Sequence, residues 1–476
     1  MDPIFIICVG VVVVLFSIIV LKLHAVISLL LAATVTGLLT TPEHIYEFAL
    51  SKGMSDGAAQ SMANETLGKR ISNAFGNTAG KIGMVIALAS IIGTALMRSG
   101  GAERIIRSLV SLFGKKNTSF AFLTSSFTLA IPVFFDTVFY LMIPLVKSIS
   151  VRDPKKFSLY LMTIIAGGVM AHSLIPPTPG PLFVAEEMGI DLGAMIIGGL
   201  VIGAITVLAG YGYALWANRK WDLPMRDTED IDVEELQRFS EKKPEELPSL
   251  GLSLLPIILP ILLIAGNTIL NLAFAEKAAL STFEQNILGL FTMLGNSNIA
   301  LLLSALIAMF LLWSKLQDMD QFKKFIYESL VSAGIIILIT SAGGAFGQML
   351  QQTNIGSQVE SLAQSYQTAI LPLAFVITAA VRTAQGSATV AMVTAIGVMS
   401  GFTASGMAFH PVYLALVIGC GSKIFPWMND SAFWIITKMS GMEEQETIKF
   451  FSYLLTVMGL SGLVAIMILS NLFPFV

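Results

Sequence analysis

Long apolar runs alternate with short polar punctuation along the whole chain. Residues 4–22, 25–41, 80–98, 192–216, 252–272, 298–314, 332–351 and 447–473 are the clearest of them. Each is of a length that crosses a hydrocarbon core of about 30 Å as a helix. The pattern predicts an all-α polytopic membrane protein. The first run follows Met1-Asp2-Pro3 with no basic leader and no small-residue cleavage site, so it reads as a retained span and not as a signal peptide.

One long charged segment interrupts the pattern, WANRKWDLPMRDTEDIDVEELQRFSEKKPEELP, starting at Trp216. It divides the chain into an N-terminal membrane repeat (1–216), a linker (217–250) and a C-terminal membrane repeat (251–476). Arg219 and Lys220 directly follow a span, which places the linker in the cytoplasm by the positive-inside rule. A constant shift of 253 residues carries IPVFFDT at 131–137 onto AQGSATV at 384–390. The same shift pairs 102–113 with 355–366, the broken segment 172–177 with 425–430, and 192–216 with 445–469. Identity is weak, so the match rests on the order and kind of element.

Pro132 and Asp136 fall inside one apolar stretch, where a helix would lose a hydrogen bond and a carboxylate would face lipid. A re-entrant hairpin over 118–149, sheltered by protein, is cheaper, and 368–400 is its counterpart. Each half then has about five membrane crossings plus a re-entrant hairpin and a broken helix, and an odd number is what two inverted-topology repeats require. Loops 98–117 and 147–157 join the linker inside, while 352–367 and 401–410, which hold no Lys or Arg, lie outside with both termini. Lys52, Lys69, Arg70 and Lys81 dissent, because they fall around an outside loop.

Composition agrees: 55% of residues are hydrophobic and 12% charged, with a net charge of −3. That excludes a soluble domain and a nucleic-acid surface. Cys8 and Cys420 sit in apolar runs without CxxC or Cys/His spacing and read as packing residues, so no metal or cofactor is expected. Phosphate-loop, HExxH and GxSxG signatures are missing, so the chain is not read as an enzyme.

Ionisable side chains within apolar surroundings cost roughly 2.5–3.5 kcal/mol on insertion scales, which makes each a functional candidate. Four stand out: Asp136, His172, Arg382 and Asp430. Around His172, the run Pro176-Pro177-Thr178-Pro179-Gly180-Pro181 cannot be helical. The helix opens there and restarts near Pro181, offering carbonyls to a cation and a positive dipole end to an anion; the alternative is a tight turn between ordinary spans. Gln385, Gly386, Ser387 and Thr389 put small polar groups and exposed amides at the tip of the second hairpin, which suits an anion or forms a helix-packing face. Arg382 can fork onto a carboxylate or snorkel. Asp136 and Asp430 can carry a coupling proton, hold sodium, or pair with Arg382 or Lys423 as structural bridges. His172 can carry a proton near neutral pH or fill space.

PVFFDTVFYLMIPL, HSLIPPTPGP, SAGGAFGQML, RTAQGSATVAM and GSKIFPWMNDSAFW, in that order, resemble the successive signatures of the gluconate permease (GntP) family, over nearly the whole chain except the linker. The resemblance implies proton-coupled uptake of gluconate or a related small hydroxy-acid anion by alternating access in a bacterial inner membrane. Some members take D-serine, and a sodium-coupled carboxylate carrier or an anion channel are the other readings. It directs attention to Asp136, His172, Pro176, Pro177, Thr178, Arg382, Gln385, Ser387, Thr389, Asn429 and Asp430. The expected partners are the anion, a proton and the bilayer, with a homodimer through outer scaffold helices common in such architectures. One departure stands out: typical gluconate members resemble Ser-His-Val before the Asn-Asp pair, where this chain has Pro426-Trp427-Met428. That leaves the cargo's identity open.

Overall fold

The computed structural model describes residues 2–151, 153–226, 247–275, 277, 280–354, 369–399 and 407–475. Within them the chain folds as helices and connecting turns, with no strand. In lipid only intrahelical bonding or a closed barrel satisfies every backbone amide, so this outcome follows from the apolar runs. Among the described residues seven helices are long and apolar enough to cross a membrane, or eight if Ala25–Leu39 and Pro42–Ser51, bent by 100°, form one span. Pro3–Ile19 and Val412–Gly421 are shorter apolar helices.

Two expected spans prove much longer. The run 80–98 belongs to Leu67–Arg98, 32 residues, and 332–351 to Met319–Gln351, 33 residues. At 1.5 Å per residue each is about 50 Å long. Hydropathy had marked only the lipid-crossing part, because the first turns of each helix are polar. The two helices pack antiparallel: Thr78 meets Gly344, Gly83 faces Ile337, and Ser90 Oγ donates to the Ser329 carbonyl at 2.8 Å. Leu192–Lys220 and Tyr453–Leu472 are likewise antiparallel, through Thr206 on Gly462, Gly210 on Met458, and Tyr213 Oη donating to Lys449 O at 2.8 Å. Glycines at these crossings let backbones approach closely, the main packing device where lipid removes the hydrophobic drive.

Arg70, one of the dissenting charges, is a buried residue of Leu67–Arg98 and not a loop charge. It donates to Gln352 Oε1 at 2.7 Å and Gly37 O at 3.2 Å. A guanidinium used inside the protein has no vote in loop-charge topology.

The elements that make the interior differ in kind. Thr118–Leu129 and Phe135–Ser150 form one short helix pair, turning through residues 130–134, and Ile370–Gln385 with Ala388–Met399 form another, turning at Gly386 and Ser387. Phe157–Leu174 breaks and resumes as Pro179–Glu187, two residues before the expected Pro181, because Thr178 takes the N-cap position and Pro179 the first turn. Val412–Gly421 breaks and resumes as Ser431–Ser440, with Asp430 capping it by accepting from Ala432 N at 2.8 Å. In Pro154–Glu187, 94% of the apolar window is buried by protein, against 39–56% in the other six spans. The broken helix is thus the axis of the bundle, the only setting in which opened backbone is tolerated at membrane depth.

Helix Leu192–Lys220 runs four residues past the expected span into the linker. The linker's first residues then dock: Trp221 meets Phe450 edge-on, and Arg226 forks onto Glu446 at 2.6 and 3.0 Å. Residues 227–246, the expected amphipathic counterpart at 355–366, and most of loop 401–410 lie outside the described residues.

Candidate functional site

Both hairpin turns, the second helix break and the last turns of the helix that leads into the first break meet around a cavity of about 380 Å³, within the usual range for small-molecule sites of about 300–1,000 Å³. The first hairpin contributes Phe134, Phe135 and Asp136, and the first broken helix Val169 and His172. The second hairpin supplies Arg382, Gly386, Ser387, Ala388 and Thr389; the second break supplies Lys423, Asp430, Ser431 and Ala432. Ser332, Ile335 and Ile336 of Met319–Gln351, with Phe451 and Leu455, close the remaining side.

Three helix N-termini converge on this space, those of Phe135–Ser150, Ala388–Met399 and Ser431–Ser440. Each carries the positive end of a helix dipole. Asp136 lies in the first turn of one and Asp430 caps another, whereas Ala388–Met399 has no acidic residue in its first turn. Ser387 covers part of that end, accepting from Val390 N at 3.3 Å.

Arg382, 3% exposed, donates through Nη1 to the Gly386 carbonyl and through Nη2 to Asp430 Oδ2. The helix Ile370–Gln385 brings Arg382 to the turn and the second break brings Asp430, so the pair staples hairpin tip to break. Lys423 is equally buried at 3% exposure, lines the cavity, and makes no side-chain hydrogen bond or ion pair among the described residues. His172 packs edge-on to Phe134 at 5.8 Å, and its Nδ1 is buried without a hydrogen-bond partner there.

Of the residues singled out in the sequence, Asp136, His172, Arg382, Gly386, Ser387, Thr389 and Asp430 share this cavity. The others lie elsewhere. Pro177 and Thr178 border a much smaller cleft with Pro132 and Val133, and Thr178 Oγ1 turns back to Ile175 O at 2.5 Å. Gln385 Nε2 donates to Ser387 O at 2.5 Å, bracing the turn. Asn429 is exposed and donates to Thr383 O at 2.8 Å and Ala384 O at 3.1 Å; Trp427 Nε1 also donates to Thr383 O, at 2.7 Å. Trp427 therefore braces the second hairpin from outside the cavity lining. Sequence reasoning passed over Lys423 as a site residue in its own right, treating it only as a partner for an aspartate. Its position between an apolar helix and a proline break was the available signal.

Gly386 allows the closest approach of hairpin and break. It sits at φ +88°, and a Cβ there would lie 2.1 Å from Asn429 O. Only glycine fits both the left-handed backbone and the contact.

The model of the GntP permease family matches residues 2–472 of this chain. An uncharacterised permease of Haemophilus influenzae is 34% identical over 93% of this chain and 86% of its own length. The gluconate permease of Bacillus subtilis is 30% identical over 98% of this chain and 99% of its own. Among solved structures, the YdaH transporter of Alcanivorax borkumensis superposes with a TM-score of 0.56 at 11% identity, covering 84% of this chain and 88% of that one; at that identity the likeness concerns the fold. Helices that cross a membrane, hairpins that stop within the bundle and a match from end to end make this chain an integral membrane transporter belonging to the GntP permease family.

Proposed function

We propose that this permease imports gluconate or a closely related small hydroxy-acid anion together with a proton, by alternating access, across a bacterial inner membrane. The observation that carries the reading is the cavity bounded by two hairpin turns, the second helix break and the helix before the first, whose lining holds helix N-termini, the cations Arg382 and Lys423 and the carboxyl group of Asp136. Amides and cations suit a carboxylate. Ser387, Thr389 and the Gly386 backbone suit hydroxyl groups. Asp136, with no side-chain partner among the described residues, is free to take a proton, and His172 beside it is the second candidate. The relatives named as gluconate permeases support the cargo class.

Inverted repeats underlie the mechanism. Shifting 67–98 by 253 residues gives 320–351, within one residue of Met319–Gln351, and shifting 192–220 gives 445–473, within one residue of the span Glu444–Leu472. Both pairs pack antiparallel, as inverted copies would. Units 1–216 and 251–476 would rock against each other about the cavity, joined by the linker 217–250.

The test is uptake of labelled gluconate into proteoliposomes driven by an imposed proton gradient with sodium absent. Accumulation is expected. Uptake indifferent to that gradient but dependent on sodium would replace the proton with sodium, and flux that never exceeds electrochemical equilibrium would make the protein a channel. D-serine in the same panel separates the amino-acid reading.

A further inference from the structure

The second break is the stretch 422–430 between Val412–Gly421 and Ser431–Ser440, with Lys423 near one end and Asp430 at the other, both in the cavity lining. Its middle cannot hold itself. Pro426 has no amide to donate, and Phe425 sits at φ +40°, in the left-handed region that a residue with a β-carbon avoids. One neighbouring helix supplies what is missing. Ser452 Oγ donates to the Pro426 carbonyl, and the Phe425 amide donates to Thr456 Oγ1 at 3.1 Å. Thr456 spends its own proton on Ser452 O at 2.8 Å, which leaves its hydroxyl oxygen free to accept. Ser452 is fully buried, so this chain of hydrogen bonds has no water to replace it. Gly459 completes the seat, because a Cβ there would lie 2.8 Å from Cys420 O and 3.5 Å from the Lys423 Cβ. Spacings of four and three residues put Ser452, Thr456 and Gly459 on one helix face.

The segment leading into that face is irregular. Ile448–Ser452 forms a π turn, a departure from α-helical bonding that recurs at functional sites. It ends on Ser452 and includes Phe451, which lines the cavity. A shift of 253 residues places Ser452 and Thr456 on Gly199 and Gly203, which meet the first break at Leu174 by packing and carry no hydroxyl. The break held by hydroxyls is the one that brings a cation and an acid to the cavity.

Building on the hydroxy-acid transport reading, we propose that Ser452 and Thr456 are positioning residues of the cargo site. They pin the break between Lys423 and Asp430, so both side chains face the cavity before the cargo arrives and the site is pre-organised. Neither Ser452 nor Thr456 belongs to the cavity lining. Losing a hydroxyl therefore removes no contact to the cargo; it lowers the fraction of protein whose site is competent to bind, and apparent affinity falls by that fraction.

Initial rates of labelled gluconate uptake are compared in proteoliposomes at equal reconstituted protein. Thr456→Val keeps the side chain's shape and removes the hydroxyl, so it should raise KM about fivefold or more with the maximal rate within about twofold. Thr456→Ser should restore KM to within about twofold of wild type, and Ser452→Ala should raise it as Thr456→Val does. A merely structural role would lower the unfolding temperature and leave KM in place. An unmoved KM in both Thr456→Val and Ser452→Ala overturns the inference. Should those variants not fold, amide hydrogen exchange at Phe425 in the wild type decides: protection on the order of minutes at neutral pH is expected, and complete exchange within seconds overturns the hold. Wild-type protein that takes up no gluconate under any gradient sinks the parent reading and the cargo role with it; normal uptake with KM unmoved in the variants sinks the inference alone.

Discussion

Replacing Gly386 with alanine isolates the contact between the second hairpin and the second break. Its φ of +88° lies in the left-handed region, where a residue with a β-carbon pays about 1–2 kcal/mol. The added atom would stand 2.1 Å from Asn429 O and 2.6 Å from its carbonyl carbon. Those are backbone atoms, fixed in turn because the Asn429 side chain is tied to Thr383 and Ala384, so they cannot swing aside as a flexible side chain would. Overpacking of this sort adds roughly 1–3 kcal/mol. The total of about 2–5 kcal/mol disfavours the native tip geometry by at least about thirtyfold at its lower end. The relief is a shift of the tip by about 1 Å, which separates Arg382 from Asp430, and misplacements of that size cost on the order of a hundredfold in rate. Initial rates of gluconate uptake, compared at equal reconstituted protein, should therefore fall by one to two orders of magnitude. Gly386→Asn separates the two causes: asparagine tolerates the left-handed backbone but brings the same β-carbon, so it should be nearly as impaired. Wild-type kinetics in Gly386→Ala would refute the tight junction between tip and break.

Asp430→Asn leaves the Arg382 guanidinium buried without its counter-ion and should cost about 3–5 kcal/mol of stability, whereas the double variant with Arg382→Gln should recover much of the unfolding temperature and none of the uptake. Asp136→Asn should abolish proton-driven accumulation yet leave exchange of labelled for unlabelled cargo measurable, because the substitution removes the proton site and not the anion contacts; a merely lower yield of folded protein with normal coupling would make Asp136 structural. On the loop after Leu250–Phe274, the hydrogen bond from Lys277, reinforced by Ser281, holds the Glu284 carboxyl down at about 2. Its folded value is depressed, so its contribution to that helix cap is present above the ordinary carboxylate range and lost as pH falls toward 2. Hydrogen exchange in Thr282–Leu294 should be insensitive to this group between pH 7 and 5, and faster in Glu284→Gln at pH 7.

Much of the architecture is local and was therefore legible. An apolar run of about 20 residues must be a helix in lipid, and the prolines from Pro176 to Pro181 must open one, whatever surrounds them. Gly386 and Ser387 marked the second turn for the same reason, through what their own backbones permit. The span boundaries erred where helix outlasted hydrophobicity, at Leu67–Arg98 and Met319–Gln351, because a polar turn packed on protein is as helical as an apolar one.

What the residues along the chain determined is that four or five costly ionisable groups sit beside broken helix. Which of them pair was decided by packing between elements distant in sequence. Arg382 reaches Asp430 because the second hairpin leans on the second break, and that choice leaves Lys423 facing the cavity with Asp136 and His172 brought from the other half. Asn429 and Trp427, one and three residues from Asp430, turn to the hairpin backbone instead. Local sequence sets where a helix ends; the direction in which its end groups point, and the charge each one meets, exist only once the two halves have closed on one another.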